Sequence, residues 1–402
     1  MTAHHSPRKA PKRVADLEAA RDRHSTKADH MVTLLTAGDP LADAVVAELD
    51  LYGTQARRAL DAGVRHGLAS LDEQPPSAVA ALLKQLEATP SRVDPLMLHR
   101  GDVVSLSVPP MWFGICSITS ALAHTYASPA TARLLARTGT PTATATRRLV
   151  ETGVWARQTI RPGGLLRGGP GYTATVEVRL HHARMRAEAL KDWDMGVQGL
   201  PIGQLDMARI WLGFTLTAFQ ALAAVGIDIS REEERYLYQY WSYVAHLLGL
   251  DESLPNDVAN HAGARRLREL LEPTTAAPDD NSTALTAAMV DAQAHAMAGA
   301  PGAVLSEEQL RYLIHSVLRQ AFGDEMSDRL GIPVPAAADP MPLISQLNRQ
   351  ARYWQTYSPA SAQEARRRAL EGSGPELKAA VHPCGTSCRQ HTGADRAAAW
   401  AA

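Results

Sequence analysis

Apolar residues recur at helical spacing along most of the chain. The 3.6-residue period predicts helices over roughly 14–29, 41–66, 76–88, 111–126, 142–160, 174–191, 204–225, 231–249, 259–271, 284–298, 306–322 and 341–355. Start signals support several of them: Asp39-Pro40, Ser128-Pro129 and Pro141-Thr142 each open a helix, and Ser230 with Glu233 makes a capping box. Alternating β-branched runs between turn signals are nearly absent, so no sheet is expected. The fold class read from this pattern is all-α, a single large multi-helix domain around a buried apolar cavity with disordered termini. Residues 1–30 form a polar N-terminal extension, 31–355 the helical domain, and 356–402 a C-terminal helix and low-complexity tail.

Two segments interrupt the period. Arg161 to Tyr172 is glycine-rich and feeds into the 174–191 helix, and Glu272 to Thr283 reads as a linker rich in Pro, Thr and Asp. The first lacks the Gly-Lys-Ser/Thr ending of a phosphate cradle and follows no strand, which excludes nucleotide binding of that type. It is expected to be a mobile flap over a site, with an ordinary connection as the alternative.

The 174–191 and 204–225 helices carry the candidate chemistry. On a wheel turning about 100° per residue, Val176, Leu180, Ala183, Ala187 and Leu190 form an apolar stripe, bordered by Arg179, His182 and Arg186. The second helix is apolar nearly all round, with Asp206 and Arg209 in its opening turns as its only charges. Packed together, they would place His182 and Arg179 at the rim of an apolar interior.

Bulk properties narrow the function classes. Among 402 residues the formal net charge is −1, so no basic field recruits nucleic acid. The basic N-terminus precedes no apolar run, and three cysteines provide no disulfide framework; both point to the cytoplasm. Ile210 to Ile227 is long enough to span a bilayer but contains polar residues and reads as a core helix, with membrane-surface contact as the open alternative.

Each candidate residue has a structural reading beside the functional one. His182 is a metal ligand or acid/base group, or a satisfied core histidine. Arg179 is a clamp for a carboxylate or a reduced oxygen species, or the partner of an acid such as Glu151. Glu151 is a carboxylate base beside an apolar cavity, or neutralises a neighbouring arginine. His181 is expected in solvent, His246 lies off the apolar stripe of its helix, and His124 fits a packed, hydrogen-bonded role. Cys116 reads as a small hydrophobe, and His382, Cys384, Cys388 and His391 form a weak zinc signal in the tail. No His-Glu-x-x-His or Gly-x-Ser-x-Gly motif is present.

An ordered series of segments resembles the helical oxygenases that include the latex-clearing (rubber) oxygenases and the MpaB-type oxygenase. The pieces are Gly38 to Asp43, Pro90 to Asp94, Tyr126 to Pro129, Leu135 to Gly139, Arg148 to Thr152, Val178 to Arg186, Gly199 to Gln204, and Trp241 to Gly249, within about residues 31–331. The resemblance implies one all-α domain around non-covalently bound haem b, using O2 to cleave carbon-carbon double bonds of an apolar, isoprenoid-like substrate. It assigns Arg179 and Glu151 catalytic roles and Arg179, His182 and Arg186 to the cofactor. Rubber oxygenases take their axial histidine from the helix after the Pro-Ile turn, whereas here Ala208 to Thr215 contains none. His182 is therefore the candidate iron ligand. The missing secretion signal turns the expectation from an extracellular polymer toward a small molecule, and the alternative is a haem-free lipid- or prenyl-binding protein of the same fold.

Overall fold

The computed structural model describes residues 11–14, 17–335 and 340–371; the tail histidines and cysteines lie outside these. Among the described residues there are helices and connections but no strand. Most of the expected helices are present, and their departures have local causes. The first two break in two, at Ser25 with φ 51° and at Gly53 with φ 55°, left-handed backbone that no helix continues through. The expected linker ends early, because Asp279 accepts from Ser282 N and caps a helix over Asp280–Ala298. Pro129–Ala136 follows the start signal at Ser128-Pro129 and Pro359–Glu371 is the expected C-terminal helix, whereas Pro95–Ser105 and Asp324–Arg329 are helices that the period did not resolve; Pro95–Ser105 shows why. In Pro95–Ser105, Gly101 and Asp102 face inward and break the apolar pattern. A Cβ at Gly101 would lie 2.1 Å from the Tyr240 ring, so glycine lets that ring pack against the helix.

The Gln204–Ala224 helix runs through the core, with Trp211, Leu212, Leu216 and Leu222 almost fully enclosed. It is long and apolar enough to cross a membrane, yet most of it is covered by neighbouring helices, as a core helix requires. It widens to π geometry over Gly213–Thr217, and the Pro110–Tyr126 helix does so over Phe113–Thr119. The two widened helices pack together, with Gly213 close to the Ala121 backbone. The Pro170–Ala189 helix lies against Pro40–Tyr52, Pro141–Ile160 and Arg231–Leu247.

Within the stretch read as an extension, residues 12 and 13 strap onto the 195–198 turn. Lys12 N donates to Gly196 O and Arg13 N to Val197 O, both at 3.0 Å. The Arg13 guanidinium is buried and bonds Asp206 in the first turn of the core helix at 3.0 Å.

The glycine-rich loop is a packed connection rather than a flap. Leu165 is fully buried, and Gly163 N donates to the buried Asp102 carboxylate at 2.9 Å. The Tyr240 hydroxyl, with one proton, faces two acceptors, Asp102 Oδ1 at 2.9 Å and Thr159 O at 2.6 Å. Burial pushes the Asp102 carboxyl up from 3.8 to about 6 against the opposing bonds from Gly163 and Tyr240. A carboxyl that holds its proton more tightly when folded favours the native state at low pH, so its contribution is lost as pH rises from about 4 to about 6. Asp102→Asn is expected to flatten the pH dependence of urea-unfolding stability across that window.

Candidate functional site

Arg179 and Arg186 point inward rather than along a polar border, while Ala187 and Leu190, expected in the apolar stripe, are exposed. Two carboxylates, buried Asp39 and half-exposed Asp43, explain the inversion. Asp39, which also caps the Pro40–Tyr52 helix, accepts from Arg179 Nε at 2.6 Å and Nη2 at 3.0 Å. One helical turn on, Asp43 accepts from Arg186 Nε at 3.0 Å and Nη2 at 2.9 Å. Arg179 is thus paired with Asp39 and not with Glu151. A bidentate pair this enclosed is strong only because both charges are matched.

The remaining donors tie further segments to this pair. Arg179 Nη1 donates to Gln85 Oε1 at 2.6 Å, and Gln85 Nε2 approaches the His246 ring at 3.3 Å. Arg186 Nη1 donates to the carbonyl of Ile202. Ile202 has φ 49°, a conformation that costs a β-branched residue about 1–3 kcal/mol and that the arginine helps to hold. Gln204 donates to Gly38 O at 2.8 Å and Gly249 O at 3.0 Å and accepts from Asp251 N at 2.8 Å. Gly249 has φ 72°, and a Cβ there would lie 2.4 Å from Asp39 Oδ2 and 2.5 Å from Arg179 Nε. The segments 38–43, 178–186, 199–204 and 241–249, dispersed in sequence, therefore meet at one place.

Two cavities adjoin the pairs. The smaller holds about 10 Å³, room for a single water. His182, Met207, Ile202 and Leu248 line it together with the two arginines. The larger, about 640 Å³, opens to solvent between Leu41, Leu190, Leu200 and Leu250, with Arg179, Arg186 and His246 on its walls.

His246 was not singled out from its position off the stripe, yet it is buried and lines the larger cavity. Burial and then Arg179 push its pKa down, so it is neutral near pH 7. Gln85 was missed too; its neighbours Leu82, Leu83 and Leu86 are core residues, and a glutamine between them signals an inward polar contact. His182 is partly buried, with Nδ1 sealed from solvent and without a partner. Burial, then His181 and nearby arginines, hold its pKa well below 6.5. His181 is enclosed beside Arg148 rather than solvated, and its pKa falls to about 3, chiefly by burial. His124 is packed, with Nδ1 3.1 Å from Thr217 Oγ1. Glu151 pairs with Arg148 at 2.9 Å and lines neither cavity, so it is not brought to Arg179. Cys116 is buried and unpaired.

An iron porphyrin is the cofactor that the resemblance implies. His182 offers a neutral nitrogen without a partner, but an organic ligand needs a cavity on the order of 300 Å³ or more, and the void at His182 holds one water. The donor is suitable and the space is not. The residues around His182 do not fit haem b in this structure.

An all-helical domain with a ligand-sized pocket built on two arginine–aspartate pairs is the class that fold and site define. The chain belongs to the family described as ER-bound oxygenase mpaB/B'/rubber oxygenase, catalytic domain, whose model matches residues 104–356. A solved structure of latex clearing protein LCP in the closed state shares the fold with a TM-score of 0.60 at 20% identity, covering 84% of this chain and 91% of that one. No curated protein matches the chain. Family membership makes this an oxygenase by class and implies O2 and a small-molecule substrate.

Proposed function

We propose that this chain is a cytoplasmic oxygenase that holds an apolar, isoprenoid-like small molecule in the 640 Å³ cavity. The observation that carries the reading is the convergence of the family-like segments on that cavity through Asp39, Arg179, Gln204 and Gly249. The leucines supply an apolar wall from which water is displaced on binding. Of the five N–H groups of Arg179, three are used by Asp39 and Gln85. The other two are left for an oxygen atom of the bound molecule or product. His246, neutral and linked to Arg179 through Gln85, accepts a proton; this gives it the base role that the resemblance assigned to Glu151. A buried, unpaired Cys116 is in keeping with a reducing compartment.

The test is incubation with farnesol or geranylgeraniol under 18O2, followed by mass spectrometry. The reading expects label in both carbonyl products of carbon-carbon double-bond cleavage, one atom of O2 in each, and its loss on His246→Ala; unlabelled substrate recovered intact would overturn it. A second reading, a haem-free lipid- or prenyl-binding protein of the same fold, is favoured by the one-water void at His182. It expects saturable binding of the same alcohols without turnover.

A further inference from the structure

The charge balance of the large cavity constrains what enters it. Four carboxylates, of Asp39, Asp43, Asp251 and Glu252, share its lining with the guanidiniums of Arg179 and Arg186, and His246 is neutral. Both arginines are matched internally, by Asp39 and Asp43. Asp251 and Glu252 are left over. Among the described residues, neither forms an ion pair with a lysine or arginine, and the nearest cationisable group to Glu252 is the neutral His246 at 3.9 Å. Ser253 N and Oγ donate to Asp251 Oδ1 and hold that carboxylate in place at the loop. The lining also includes hydrocarbon, from Leu190, 41% exposed, and from the buried Leu200 and Leu250. Since the whole chain has a formal net charge of only −1, the two negative charges are local to this mouth and not part of a general field.

We propose that the cavity takes an apolar molecule bearing a cationic amine, its hydrocarbon against Leu190, Leu200 and Leu250 and its ammonium against Asp251 and Glu252. This rests on the reading of the cavity as the binding site and specifies the ligand class within it. An anionic head group meets two unmatched carboxylates there and is disfavoured, and a neutral alcohol gains the apolar contact and a hydrogen bond but no ion pair.

Calorimetric titration with decylammonium, decanol and decanoate, all below their micellar concentrations, tests the inference with three heads on one tail. Decylammonium is expected to bind about tenfold more tightly than decanol at low ionic strength, decanoate least, with the advantage shrinking in 0.5 M salt. The Asp251→Asn/Glu252→Gln variant, altered only at the rim, is expected to bind decylammonium and decanol alike. Equal binding of all three by the unaltered protein overturns the charge inference while leaving the cavity as an apolar site. Binding of none overturns the cavity reading itself. Should the variant fold poorly, the salt dependence of the unaltered protein carries the same decision.

Discussion

Hemin titrated into the purified protein is expected to give no Soret band that depends on His182, so that the protein and its His182→Ala variant return the same spectrum. The argument is spatial. A porphyrin must stand beside its axial ligand, and Ile202, Gln204, Met207 and Leu248 fill the region beside His182, leaving about 10 Å³. The core helix itself contributes no imidazole; Arg209 stands in its opening turns, with Nη2 bonded to Leu271 O and near Thr274. A sharp Soret band that shifts with dithionite or carbon monoxide and disappears in His182→Ala would show that these residues part to admit haem, and would restore His182 as ligand. The apolar-pocket reading survives either result, because it stands on the outer cavity.

Arg179→Ala is expected to be among the most destabilising single changes in the protein, by about 3–5 kcal/mol in urea unfolding. The arginine is 3% exposed and Asp39 is 7% exposed, so removing the guanidinium leaves a carboxylate deep in the structure with its main partner gone. Gln85 loses its donor at the same time and His246 loses its positioning. Arg179→Met with Asp39→Asn removes both charges while keeping an amide oxygen for the helix cap. It is expected to recover most of the stability but not ligand binding. A single variant as stable as the unaltered protein would mean that water reaches Asp39 freely, and the pair would then have no part in building the site.

The contrast between what was and was not legible follows from range. Helices are local, and their period survives in the chain; all-α architecture could be read at once. The positions that failed are those where a non-local contact overrode the pattern. Arg179 and Arg186 looked like a border because arginine is ordinarily solvated, and only carboxylates 140 and 143 positions away reverse that. Asp39 was visible as the start of a helix, but its second role was not. His246 seemed misplaced because its wheel was judged against leucines alone, whereas the helix is buried on most sides, including Tyr240, Tyr243 and His246. Glu151 suggested a base by its surroundings in sequence, and Arg148, three residues before it, claims it. The glycine-rich loop resembled a flap because glycine permits motion; Asp102, reaching from another helix, immobilises it.

The strap at residues 12 and 13 carries a consequence for how the molecule tolerates trimming at that end. Arg13 supplies the ion-pair partner of Asp206 at the head of the central helix, two residues after Gln204, which with Ile202 shapes the pocket. Proteolysis that removes this arginine therefore strips a counter-charge from the interior rather than shortening a loose end. The nick should loosen the pocket wall from a distance, in a molecule whose pocket-lining residues are all intact.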